Sequence, residues 1–91
     1  MEQTAKHVIF GGEVQGVGFR YTSNNIARRY NVTGYVRNLP DGTVELLLQG
    51  PVADVDGCLQ DIQDAFAGYV RDTQVEEVPY DAQYRSFRIT F

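Results

Sequence analysis

His7-Val8-Ile9-Phe10-Gly11-Gly12-Glu13-Val14-Gln15-Gly16-Val17-Gly18-Phe19-Arg20 holds the reading from which the fold follows. Val8, Phe10, Gly12 and Val14 alternate with His7, Ile9, Gly11 and Glu13, which predicts a strand over His7 to Val14 with one apolar face. A loop carrying two glycines follows, and then a helix over about Tyr21 to Tyr30, with Phe19, Ile26, Ala27 and Tyr30 toward the core. Asn31 suits the position just past the helix end, because asparagine tolerates a left-handed backbone. Strand, glycine loop and helix start are the parts of an anion cradle. The first amides of a helix are unpaired and carry the positive end of its dipole. Glycines let such amides converge. Arg20 adds a planar fork that matches phosphate oxygens. Gln15, Gly16, Val17, Gly18, Phe19 and Arg20 are therefore the candidate phosphate-binding residues.

Outward from this stretch, Thr33 to Asn38 predicts a second strand. Leu39-Pro40-Asp41-Gly42 predicts a turn, and Thr43 to Gln49 a third strand with Val44, Leu46 and Leu48 on one face, so that the two strands form a hairpin. Gly50-Pro51 ends that strand and opens a second helix, whose stripe is Val52, Val55, Leu59, Ile62 and Phe66. Gly57 weakens this helix by up to ~1 kcal/mol relative to alanine, and Gly68 marks its stop. Gln74 to Val78 predicts a fourth strand, closed by Pro79. Ser86 to Phe91 predicts a fifth, with Phe87, Ile89 and Phe91 on one face. The order β-α-β-β-α-β-β is that of an α+β ferredoxin-like sandwich, two helices on one face of a mainly antiparallel four- to five-stranded sheet. Right-handed crossovers place the first and third strands side by side at its centre.

The chain has 91 residues, read as one domain over residues 1–91. Its 43% hydrophobic content suits a globular core and not a disordered chain. A formal net charge of −4 argues against a nucleic-acid partner while leaving room for a small phosphorylated ligand. No apolar run approaches the ~20 residues of a membrane span, and the N-terminal stretch has no apolar signal region. With one cysteine, Cys58, the chain fits a reducing compartment, and the expected location is cytoplasmic.

Other polar residues read as structural. His7 at a strand start is a surface or edge residue with no second metal ligand beside it. Cys58 is a packing residue, since no base lies near it in sequence. Asp54, Asp56, Asp61 and Asp64 form a solvated acidic helix face. Arg37 is an exposed strand charge that alternates away from Asn38. Asn31-Val32-Thr33 matches a glycosylation acceptor by chance, in the absence of a secretion signal. Asn38 itself, read from spacing, is a turn asparagine bonding its own backbone.

Two segments carry a resemblance that changes the reading of Asn38. Gly12-Glu13-Val14-Gln15-Gly16-Val17-Gly18-Phe19-Arg20 and Gly34-Tyr35-Val36-Arg37-Asn38-Leu39-Pro40-Asp41-Gly42-Thr43-Val44-Glu45 together resemble the signature pair of the acylphosphatase family. The likeness extends to the length, the Gly-Pro before the second helix and the Phe-Arg-Ile near the C-terminus. It implies the ferredoxin-like sandwich already reached, and hydrolysis of the carboxyl–phosphate bond of small acyl phosphates to carboxylate and inorganic phosphate. It implies that Arg20 and the amides of Gln15 through Arg20 bind the phosphoryl group, and that Asn38 orients the attacking water. No metal or organic cofactor is expected. The expected partners are a small acyl phosphate and inorganic phosphate as product and inhibitor, with no nucleic acid, no membrane and a monomeric chain.

Two positions depart from the family pattern. Glu13 stands where Arg or Lys is usual, and strand alternation puts it on the face opposite Val14, so the expected effect is on apparent substrate affinity at most. Tyr35 stands where tryptophan is more common. Three other readings compete. One is a non-catalytic sandwich holding an anion in the same loop, and a second is an acylphosphatase-like domain of a hydrogenase-maturation carbamoyltransferase acting with carbamoyl phosphate. The third, an RNA-binding sandwich, is disfavoured by the net charge and by the lack of a basic sheet face in the sequence pattern.

Overall fold

The computed structural model describes residues 2–91. Its elements are β1 (Gln3–Gly12), α1 (Phe19–Ala27), β2 (Thr33–Asn38), β3 (Val44–Pro51), α2 (Val52–Ala65), β4 (Val70–Glu77) and β5 (Phe87–Ile89). The five strands form one mixed sheet in the order β4-β1-β3-β2-β5, antiparallel except for the β2–β5 pair. Both helices pack on one face, which is the expected ferredoxin-like α+β sandwich with β1 and β3 adjacent.

The helix-facing core follows from strand alternation. Val8 and Phe10 of β1, Val44, Leu46 and Leu48 of β3, and Val36 of β2 meet Phe19 and Ile26 of α1 and Val55, Cys58, Leu59 and Ile62 of α2. Phe10, Phe19 and Phe66 form an aromatic stack, with centroids 5.0 Å apart for Phe10–Phe19 and 4.3 Å for Phe19–Phe66. Phe19 is thus a core anchor that fixes where the loop before it must end.

Several boundaries differ from the sequence expectation. β1 begins at Gln3 because its polar start pairs with β3, Gln3 opposite Pro51 and Lys6 opposite Leu48, a partnership that periodicity does not register. It ends at Gly12, where the pairing with β4 shifts register between Gly11 and Gly12. Glu13 therefore lies beyond the strand. It is exposed, and its N–H donates to the Tyr69 carbonyl at 2.9 Å. α1 ends at Ala27, the next residues closing as tighter turns through Arg29 N–H to Ile26 O and Tyr30 N–H to Ala27 O. β4 starts at Val70, four residues early.

Gly57 has a packing reason. A Cβ there would sit 2.8 Å from the Tyr30 ring, so the glycine lets Tyr30 lie against α2 and donate its hydroxyl to Asp61. The acidic face of α2 lies at the surface as expected, with Asp56 and Asp64 exposed, but its carboxylates also have local partners. Asp56 accepts from Lys6 Nζ at 2.8 Å and Asp54 from the Asn31 N–H at 3.3 Å. Cys58 is buried as expected, and burial pushes its thiol up to about 12.

His7 departs from its expected edge position. It sits on β1, between β3 and β4, half-buried, with Nε2 2.7 Å from Glu45 Oε2. Arg37 is also paired, its Nε donating to the other oxygen of Glu45.

Candidate phosphoryl site

The loop between β1 and α1 takes its shape from two backbone positions. Gly16 has φ 80° and Gly18 φ 78° with ψ 22°, both left-handed. A Cβ at either would meet nothing within 4 Å. The glycines are therefore required by conformation and not by crowding. Gly18 is the N-cap of α1, and its carbonyl accepts the Thr22 N–H at 3.0 Å. Arg20 then falls in the first turn, half-buried, and forms no ion pair among the described residues.

Asn38 is the last residue of β2 and is half-buried. It and Arg20 line one cavity of about 240 Å³, together with Val14, Gly16, Gly18, Phe19, Tyr21, Ile89 and Phe91. Residues distant in sequence thus meet because β1 and β2 flank β3 and the loop after β1 reaches the hairpin end of β2.

Two candidate residues lie outside this lining. Val17 is exposed on the loop. Gln15 turns its side chain to the hairpin, where Nε2 donates to Leu39 O at 2.8 Å and Thr43 O at 2.9 Å. The same turn is closed by Leu39 N–H to Thr43 O at 2.9 Å and by Thr43 bonding Asp41 Oδ1 through both N–H and hydroxyl. Those two bonds, the hydroxyl's first, hold the Asp41 carboxyl below its ordinary range. Gln15 is therefore a strut between cradle and hairpin, a role that a motif of adjacent residues does not disclose. The sequence reading also missed Tyr21, Ile89 and Phe91 as lining. The Arg20 guanidinium lies 5.0 Å from the Phe91 ring centroid, a cation–π geometry. The expected alternation of Phe87, Ile89 and Phe91 was the available signal.

The acylphosphatase family model matches residues 6–89. The chain belongs to the acylphosphatase family. An acylphosphatase of Bordetella parapertussis is 42% identical over 82 residues, covering 89% of this chain and 87% of its relative. Among solved structures, the acylphosphatase from Bacillus subtilis superposes with a TM-score of 0.79 at 32% identity, covering 97% of this chain and 99% of that one. Full-length HypF matches with a TM-score of 0.84 at 27% identity, covering 99% of this chain but 12% of the HypF chain. The acylphosphatase fold thus occurs both as most of a short protein and as a small part of a longer one.

Proposed function

We propose that this acylphosphatase-family chain hydrolyses small acyl phosphates, with Arg20 and the loop amides of Gln15 through Arg20 holding the phosphoryl group and Asn38 orienting the attacking water. The observation that carries the reading is the shared cavity of Arg20 and Asn38, a cation and a neutral amide facing one space. A pure anion binder does not need a water-orienting amide at that place.

The chemistry asks for little more. An acyl phosphate carries its own good leaving group, a carboxylate. Phosphoryl transfer through a loose transition state needs charge stabilisation on the equatorial oxygens and a water held in line. Arg20 and the cradle amides supply the first, Asn38 the second. The water oxygen bonds phosphorus, the bond from phosphorus to the acyl oxygen breaks, and the carboxylate leaves. An amide is no base near neutral pH, so both water protons end on the phosphate formed.

Purified protein assayed without added metal should hydrolyse benzoyl phosphate and acetyl phosphate and leave a phosphate monoester, whose leaving group needs an acid, nearly untouched. Arg20→Ala should abolish most substrate binding and turnover. Near-wild-type hydrolysis by that variant, or comparable cleavage of the monoester, overturns the assignment.

A further inference from the structure

We propose that a second cavity, on the sheet face away from the helices, binds a nucleoside phosphate. This cavity of about 560 Å³ lies between β2, β5 and the segment before β5, and its chemistry is set by Tyr35, Arg37, Tyr84, Arg85 and Arg88. It shares no lining residue with the phosphoryl cavity. Strand alternation separates the two, with Arg37 on one side and Asn38 on the other, and Arg88 and Thr90 opposed to Ile89 and Phe91.

Charge is the first argument. The chain is acidic, with 12 carboxylate residues against 8 Lys and Arg, yet no Asp or Glu lines this cavity while three arginines do. Arg37 is partly neutralised by Glu45. Arg85 and Arg88 form no ion pair among the described residues. Arg88 is aimed by its Nε, which donates to Ser86 Oγ at 3.0 Å. Two unpaired guanidiniums match the near-double charge and three oxygens of a phosphate monoester better than the single charge of a carboxylate.

Shape is the second. Tyr35 and Tyr84, with ring centroids 5.6 Å apart and tilted by 50°, form an aromatic wall beside those cations. Arg37 lies 5.7 Å from the Tyr35 ring centroid and stiffens it. A planar base stacks on such a wall, and the cavity volume falls within the ordinary range for a ligand of this size. A long polyanion is disfavoured by the net charge of −4, and only three of the eight Lys and Arg residues line this cavity.

The test uses adenosine 5′-monophosphate (AMP), with adenosine and inorganic phosphate as the separated halves. NMR titration of the Arg20→Ala variant, in which the cradle has lost its cation, should move the amide resonances of Tyr35 and of Tyr84 through Thr90. AMP should bind about 10-fold tighter than either half. Arg85→Ala/Arg88→Ala, two exposed substitutions, should weaken AMP binding ~10-fold or more. In the otherwise native chain the double variant should hydrolyse acyl phosphate at the native rate. Shifts confined to Gly16 through Phe19, AMP affinity undiminished in the double variant, or AMP binding no tighter than inorganic phosphate would each overturn the proposal. Shifts confined to that loop would place AMP in the phosphoryl cavity instead, whose own role is tested separately by hydrolysis.

Discussion

Asn38 is the β2 residue that lines the cavity beside Arg20. It ends the strand, its neighbour Arg37 is committed to Glu45 on the opposite face, and Leu39 already belongs to the turn held by Thr43. If it orients water and does not bind the phosphoryl group, Asn38→Ala should lower kcat ~100-fold, a loss of ~2.7 kcal/mol of transition-state stabilisation. Competitive inhibition by inorganic phosphate should stay within about threefold of native, since the cradle's own donors are untouched. Steady-state kinetics with benzoyl phosphate read both quantities. Collapse of phosphate inhibition would make Asn38 a binding or structural residue instead. From the sequence alone Asn38 reads as a turn asparagine. The role proposed for its side chain rests on a juxtaposition with Arg20, 18 positions earlier, which propensity cannot express and which only the motif pair and the folded sheet bring into view.

At the scale of elements, the site is a joint between the loop that opens α1 and the hairpin that joins β2 to β3. Gln15 spans it with two hydrogen bonds from one amide group. Such bonds to neutral carbonyls at an exposed position are each worth about 0.5–1.5 kcal/mol. The larger effect is positional, because sub-ångström drift between the two halves of a site costs rate steeply. Gln15→Ala should lower the thermal midpoint by about 4–8 °C (about 1 kcal/mol of stability), yet reduce kcat ~10-fold with phosphate inhibition nearly intact. A kcat equal to native would show that the loop holds its place without the strut. The loop's outline is legible in the sequence, because Gly16 and Gly18 announce left-handed backbone before a helix and Phe19 anchors the core. The strut is not, because glutamine has no positional preference that names a partner across 24 or 28 residues.

Over the whole molecule, the sheet face that alternation assigns to the core is the one the helices cover, while the opposite face is less open than the pattern implies. Leu47, Gln49 and Glu45 point away from the helices and are nonetheless buried. Gln49 meets the segment between β4 and β5, pinned where its Nε2 donates to Asp81 O at 2.6 Å and the Asp81 N–H returns to its Oε1 at 3.1 Å. Pairing across strands cannot be placed from periodicity, so His7 and Arg37 read as separate residues although the buried Glu45 carboxylate joins them, with His7 half-buried and Arg37 exposed. Burial alone would raise the Glu45 carboxyl, but bonds to His7 and Arg37 outweigh it and hold the group below its ordinary range. Tyr35, desolvated beside that carboxylate, is pushed up to about 12 and stays neutral. A depressed carboxylate stabilises the fold fully above its unfolded value of about 4.3, and that contribution is lost as pH falls through the lower folded value. Glu45→Gln should therefore cost about 1–3 kcal/mol at pH 7, through partners left unpaired. The gap between variant and native should narrow as the pH is lowered from about 5 to about 3, where the native carboxylate is itself being protonated. Urea unfolding across that range reads it directly. A gap of constant size would mean that the cluster contributes packing and not charge to the stability of the sheet.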